Sequence, residues 1–97
     1  MDTYAKLIRF FHGPFRDAII KQLDLDDTEE NREEVKRIIK KSMNIESMAD
    51  LTAMEIGEAI VEVAFVVAEE MGMMLPYPGE PDDVDSLTMK EFLSLKK

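Results

Sequence analysis

Residues 52–72 read TAMEIGEAIVEVAFVVAEEMG, and this pattern predicts the longest helix of the chain. Thr52 and Glu55 are spaced as a capping box, in which each side chain binds a backbone N–H at the helix start. Four glutamates follow at steps of three, four and seven residues, which places them on one stripe: Glu55, Glu58, Glu62 and Glu69. The β-branched run at 61–68 favours a strand instead, but the stripe outweighs it. We therefore expect a helix that ends near Met71, before Gly72.

The helix predicted from residue 52 is the centre of the expected core, and shorter amphipathic segments precede it. The first should run from Tyr4 to Phe11 and the second from Pro14 to about Asp24, although Pro14 could instead kink one longer helix. A third should run from a cap at Asp27–Thr28 to about Met43. The apolar stripes of all four helices contain Leu7, Ile8, Phe11, Phe15, Ala18, Ile19, Gln22, Leu23, Val35, Ile38, Ile39, Ile56, Ile60, Val63, Ala64 and Val67.

The last third of the chain contains two connections and a short helix. Residues 44–51 are predicted to be a loop, and the prolines at 76, 78 and 81 predict an extended linker over 76–86. Thr88 and Glu91 form a second capping-box pattern, so a terminal helix is expected within 87–97. This helix could pack on its own domain or dock on another chain. The prediction is an all-α, four- to five-helix domain over 1–75, followed by the linker and the short helix.

Composition restricts the class of protein. The formal net charge is −9, which argues against general attraction to nucleic acid. The chain has no cysteine, so it forms neither disulfides nor a zinc–thiolate site. Its first residues are acidic and polar where a signal peptide would be basic and then apolar, and its longest apolar run is too short to span a bilayer. We expect a cytoplasmic protein without a membrane segment.

The sequence offers no convincing catalytic or metal-binding motif. His12 is the only histidine, and no cysteine or glycine-framed serine is present for it to activate. The acids from Asp24 to Glu30 resemble a calcium loop only superficially, because the sixth and twelfth positions hold Glu29 and Val35 instead of glycine and an acid. The expectation is a protein that is not an enzyme and uses no cofactor or metal.

Two charged regions are candidate binding sites. The first is basic and could contact phosphates of a nucleic acid; it comprises Arg9, Lys36, Arg37, Lys40 and Lys41. The alternative is that the bases of the third helix complement its dipole and face solvent. The second is a candidate protein interface that combines the acidic stripe with apolar residues near the C-terminus: Glu55, Glu58, Glu62, Glu69, Met74, Tyr77, Phe92 and Leu95. We expect a protein partner or self-association, leave nucleic acid open, and expect neither a membrane nor a small-molecule substrate.

Several segments between residues 9 and 81 resemble phage NinB-type recombination proteins. Arg9-Phe-Phe-His-Gly13, followed by Pro-Phe-Arg-Asp-Ala-Ile-Ile20, resembles the aromatic-rich run that enters a helix in that family. Glu46 to Ile56 (ESMADLTAMEI) is similar to the family's Ser-Thr-x-x-Leu-Thr-x-x-Glu-Phe segment. Ala68-Glu-Glu-Met-Gly72 and Pro76-Tyr-Pro78 are similar to its helix end and its Pro-x-Pro exit. The family's β-rich N-terminal part is missing, Ile56 replaces an aromatic residue, and the chain is acidic.

The resemblance implies a helical fold, a dimer, single-stranded DNA binding and a role in phage recombination. Two hypotheses follow. The first is a non-catalytic, phage-related protein of DNA recombination or replication that contacts single strands weakly through the basic residues. The second is an acidic protein-interaction module, such as an inhibitor that blocks a host nucleic-acid enzyme with the carboxylate stripe.

Overall fold

A computed structural model describes residues 3–44, 46–48, 50–73 and 86–95. It contains five α-helices: α1 (Thr3–Phe11), α2 (Pro14–Gln22), α3 (Glu29–Ser42), α4 (Ala53–Glu70) and α5 (Ser86–Ser94). A short 3₁₀ turn lies at Glu46–Met48, and these ranges contain no strand. The predicted all-α class is confirmed.

Helix α4 begins and ends as its sequence predicts. The Thr52 hydroxyl accepts a hydrogen bond from the Glu55 backbone N–H at 3.2 Å, and the Glu55 carboxylate accepts one from the Thr52 N–H at 3.2 Å. At the other end Gly72 has a φ of +70°, a conformation that costs glycine little. The Met73 N–H then donates to the Ala68 carbonyl at 2.8 Å, which completes a Schellman motif and stops the helix.

The break between α1 and α2 is a real turn, so the alternative of one kinked helix is wrong. Gly13 approaches the end of α1 closely, because a Cβ atom at this position would lie 2.7 Å from the Arg9 carbonyl oxygen. Pro14 follows as the first residue of α2, where its missing N–H leaves no bond unmade. Helix α2 ends two residues before Asp24, whose φ of 54° terminates it.

Four phenylalanines form the aromatic part of the core. Phe10 and Phe11 of α1, Phe15 of α2 and Phe92 of α5 are each at most 3% exposed. The ring centroids of Phe11 and Phe15 are 4.9 Å apart, and those of Phe10 and Phe92 are 5.3 Å apart. Helix α4 packs against α2, α3 and α5. Helix α5 therefore packs on its own domain, which decides between the two placements that the sequence left open.

Other predicted core positions need small corrections. On α1 the buried residues are Leu7, Phe10 and Phe11, whereas Ile8 is only partly buried. Ile20 is buried although it lies outside the predicted stripe of α2, because α2 contacts α3, α4 and α5 as well as α1. Gln22 is only partly buried. The more neighbours a short helix has, the wider its buried face becomes.

Two predicted boundaries also differ. The predicted loop at 44–51 contains the 3₁₀ turn. Helix α5 begins at Ser86, so Thr88 lies inside the helix and does not cap it. Thr88 is 7% exposed and lies one turn before Phe92, so tertiary packing of this face outweighs the local capping pattern. Ser86 is thus helical, whereas the rest of the predicted linker, residues 76–85, lies outside the described residues.

Candidate binding surfaces

The four α3 residues predicted to contact phosphates, Lys36, Arg37, Lys40 and Lys41, do not form one free patch. The Arg37 guanidinium lies 2.6 Å from the Glu34 carboxylate, one turn earlier on the same helix. The hydrogen bond from Arg37 lowers the pKa of Glu34, and the same bond raises the pKa of Arg37. Lys41 lies 3.5 Å from the Glu70 carboxylate of α4. Two of the five predicted phosphate contacts, Arg37 and Lys41, therefore have a carboxylate beside them that a phosphate would have to displace.

The other two predicted contacts of α3, Lys36 and Lys40, line a groove between α1 and α3. The groove has a volume of about 430 Å³, and its remaining lining residues are Tyr4, Ile8, His12, Met43 and Asn44. Within the described ranges neither lysine has an ion-pair partner. We call this cavity the α1–α3 groove. In the described part of the chain, this groove brings together two positive charges that have no ion-pair partner.

His12 contributes a second polar group to the α1–α3 groove. Its Nδ1 atom is buried and has no hydrogen-bond partner among the described residues. Burial lowers the pKa of His12, and the charges of Lys36, Lys40 and Arg16 lower it further. The imidazole is therefore held in its neutral form at pH 7. The sequence gave one weak indication that His12 lines a groove. Tyr4, Ile8 and His12 follow one another at steps of four residues, which places them on one helix face.

Arg9 lies apart from the α3 bases. It lines a different groove of about 360 Å³ together with Lys6 of α1, Glu91 of α5 and Leu95, which follows α5. The five predicted nucleic-acid contacts are thus divided between two grooves and two ion pairs. The sequence could not show this division, because it depends on which side of α1 faces α3 and which side faces α5.

The acidic stripe of α4 is exposed. Within the described part of the chain Glu58, Glu62 and Glu69 have no ion-pair partner, while Glu55 binds Thr52 in the capping box. Glu70, beside the stripe, is the α4 carboxylate that pairs with Lys41. All four glutamates of the stripe are exposed, as their place on the candidate protein interface requires.

Two apolar residues that the sequence reasoning missed lie on the same side of α4. Phe65 is 45% exposed and Val66 is 36% exposed. Phe65 lies three residues after Glu62 and four before Glu69, so it belongs to the stripe by helical spacing. That spacing was the signal available in the sequence. We call this surface the α4 outer face; its members are Glu58, Glu62, Phe65, Val66 and Glu69.

The apolar residues of the predicted protein interface differ in how far they are exposed. Phe92 is fully buried, so its side chain stabilises the fold and is not presented to a partner. Leu95 is partly buried and lines the groove beside Arg9. Met74 and Tyr77 lie outside the described residues. Among the residues of the predicted interface, the glutamates of α4 are therefore the ones that the structure describes and shows to be exposed.

Two general findings complete the description of the surface. None of the described helices is both long and apolar enough to cross a membrane. Over the same ranges, no three carboxylate or imidazole side chains are grouped so that they could hold a metal ion.

Comparison of the chain with known proteins identifies no relative. No family model matches the chain, and neither a curated protein nor a solved structure does. The resemblance to NinB-type proteins therefore stays a prediction.

Proposed function

We propose that this protein is a non-catalytic interaction module that binds a basic protein surface through the α4 outer face. The observation that carries the proposal is the arrangement of three unpaired carboxylates around the exposed Phe65. Aromatic residues at the centre of a contact and charges at its rim are the usual division of labour in protein interfaces. The α4 outer face has the same arrangement, with apolar residues between carboxylates.

The two kinds of residue would act differently in a complex. Burial of Phe65 and Val66 against a partner would supply most of the affinity, because apolar area is removed from water. Glu58, Glu62 and Glu69 would attract a partner rich in lysine and arginine and accelerate association. Because these carboxylates are exposed, their attraction is screened over about 8 Å at physiological ionic strength. Binding should therefore weaken as salt is added. A phosphate-binding groove of a nucleic-acid enzyme is one partner surface with the required charge.

The test is capture of partner proteins from a lysate of the source cells, followed by mass spectrometry. The test variant carries Glu58→Lys and Glu62→Lys. The matched control carries Asp26→Lys and Asp50→Lys, which change the charge equally at exposed loop residues outside the α4 outer face. Loss of a partner with the test variant and its retention with the control support the proposal. An unchanged set of partners with the test variant contradicts it.

A second variant separates the apolar contribution from the charges. Phe65→Ala leaves the net charge unchanged and removes the apolar centre of the α4 outer face. We expect it to weaken the same complex at high salt as well as at low salt, whereas the charge reversals act mainly at low salt. Retention of full affinity by Phe65→Ala would show that the contact is electrostatic alone.

The second candidate function is the one that the NinB resemblance implies: weak single-stranded DNA binding in phage recombination or replication, by a cytoplasmic dimer. The convergence of Lys36 and Lys40 on one groove favours it. The net charge of −9 and the ion pairs of Arg37 and Lys41 oppose it. Fluorescence anisotropy with a labelled single strand tests it, and the absence of binding at tens of micromolar protein in low salt would exclude it.

A further inference from the structure

We propose that the α1–α3 groove binds a phosphate monoester, a ligand class that the sequence did not suggest. The site is on other helices than the α4 outer face, so it does not depend on the interaction proposed for that face. It uses the same lysines as the second candidate function but requires a terminal phosphate, not the phosphodiesters of a strand.

The charge of the groove is the first reason. Lys36 and Lys40 lie one helical turn apart on α3 and both line the cavity. A phosphate monoester carries a charge of nearly −2 at neutral pH, which two ammonium groups can balance. A phosphodiester carries only one negative charge. The two lysines therefore favour the monoester.

His12 is the second reason. A proton on its buried Nδ1 would be an N–H group without an acceptor, so the neutral ring carries its proton on Nε2. Nε2 is then a hydrogen-bond donor on a residue that lines the same groove as the two lysines. The imidazole N–H of His12, in the turn after α1, and the two ammonium groups of α3 would give the phosphate oxygens three donor groups.

The remaining charges around His12 leave the site cationic. From α2, Arg16 adds a positive charge, although Asp17 lies 3.0 Å from its guanidinium. From α3, Glu33 lines a neighbouring cleft together with Lys36, Arg37 and Lys40. Its negative charge would repel a bound anion. Among the residues that the structure describes, no carboxylate lines the α1–α3 groove itself.

The apolar part of the lining is the third reason. Ile8 and Met43 supply aliphatic surface, and Tyr4, which is 45% exposed, supplies an aromatic ring. Such a lining suits the organic group that a monoester carries, whereas inorganic phosphate would leave it unused. A nucleoside monophosphate has both parts, and a volume of about 430 Å³ is in the range of small-molecule sites.

The experiment uses His12 as a probe, because it is the only histidine of the chain and its imidazole C–H signals are therefore assigned without ambiguity. Its proton NMR titration is recorded with adenosine monophosphate, inorganic phosphate, adenosine, or sodium chloride at matched ionic strength. A bound dianion favours the imidazolium form. We therefore expect adenosine monophosphate to move the titration midpoint upward and to do so saturably, inorganic phosphate to act more weakly, and adenosine and chloride to have no such effect.

Variants identify the residues that hold the ligand. Lys36→Gln and Lys40→Gln should each weaken adenosine monophosphate binding about tenfold, which corresponds to about 1.4 kcal/mol. Lys90→Gln, at an exposed lysine of α5, is the matched control and should leave binding unchanged. Amide shifts from a nitrogen-15 spectrum of each variant report whether the fold is intact, so a loss of binding is interpretable.

Three results would overturn the proposal. One is a shift of His12 that chloride reproduces at equal ionic strength. Another is equal weakening by Lys90→Gln and by Lys36→Gln. The third is preferential binding of an oligonucleotide that lacks terminal phosphates, which would assign the groove to phosphodiesters and to the second candidate function. None of these results bears on the α4 outer face, which is tested separately by partner capture.

Discussion

The chain has five phenylalanines, and the fold uses four of them differently from the fifth. Phe10, Phe11, Phe15 and Phe92 contact one another in the core, at most 3% exposed. Phe65 lies nearly half exposed on α4, among carboxylates. The four buried rings come from three helices, and each removes apolar area from water. Nearly half of the fifth ring stays in water, and this exposed part does not stabilise the fold but is available to a partner.

The comparison shows why residue type alone does not assign a role. Phe65 lies in the same apolar run as Val63, Ala64 and Val67, which are buried against neighbouring helices. A helix turns about 100° per residue, so its neighbours in sequence face other directions. Phe65 shares its direction with Glu58, Glu62 and Glu69. The apolar residues around Phe65 are typical of a buried helix. Its spacing to the glutamates, however, places it on the exposed face.

The largest expected effect separates the two kinds of phenylalanine by stability. Phe11→Ala removes a fully buried ring and leaves a cavity, so the free energy of unfolding should fall by about 3–5 kcal/mol. Phe65→Ala should change it by about 0.5 kcal/mol or less, as surface substitutions generally do. Urea unfolding followed by circular dichroism measures both. Similar losses for the two variants would mean that Phe65 is part of the core and would contradict the comparison.

The next effect concerns the ring that joins α5 to the rest of the cluster. Phe92→Ala should cost about 3 kcal/mol, at the lower end of the range for buried aromatic residues, because a terminal helix can adjust its position. Amide hydrogen exchange should rise within 86–95 more than within α4. Leu93→Ala, at a residue that is 42% exposed on the same helix, is the matched control. Protection of α5 that survives Phe92→Ala would show that other contacts hold this helix.

A smaller effect comes from the cap that positions both surfaces of α4. Thr52→Ala removes the hydroxyl that accepts a hydrogen bond from the Glu55 N–H, and it should cost about 1 kcal/mol. Thr52→Ser keeps the hydroxyl and should restore most of the loss. Thermal unfolding of the three proteins measures the difference. If serine and alanine are equally destabilising, the capping box contributes nothing to α4.

The smallest expected effect is the contribution of His12 to the pH dependence of the free energy of unfolding. His12 directly follows the buried Phe11 in the chain. Its pKa is lowered in the folded state, so the unfolded chain binds a proton first as the pH falls. The resulting contribution to stability is fully present above the ordinary pKa of about 6.5 and is lost as the pH falls through the folded-state pKa. His12→Gln should lack this contribution. Unfolding free energies of both proteins between pH 5 and pH 8 test it, and parallel curves would contradict it.

Much of the helical fold could be predicted because its signals are local. The capping box at Thr52, the stop at Gly72 and the start at Pro14 each depend on residues within one turn of the helix end. The failures have the opposite character. Thr88 reads locally as a cap, yet it is buried on the face of α5 that also carries Phe92. Ile20 of α2 is buried because α2 has neighbours on several sides.

The candidate binding surfaces follow the same rule. The acidic stripe is a property of one helix, so its spacing in the sequence was enough to predict its exposure. The basic region depends on four helices: Glu70 of α4 pairs with Lys41 of α3, while Arg9 of α1 lines the same groove as Glu91 of α5. Only Lys36 and Lys40 remain together, beside a histidine that had no evident role in the sequence.

The sequence by itself determined the all-α class, most helix ends and the exposed carboxylates of α4, because hydrogen bonding and capping at a helix end act over a few residues. Only the tertiary structure decided that α1 and α3 enclose a cationic groove, that Phe65 and not Phe92 is available to a partner, and which charges are neutralised. These outcomes depend on which helix faces lie against each other. Charges and rings far apart in the chain interact only after packing has brought them within a few ångströms.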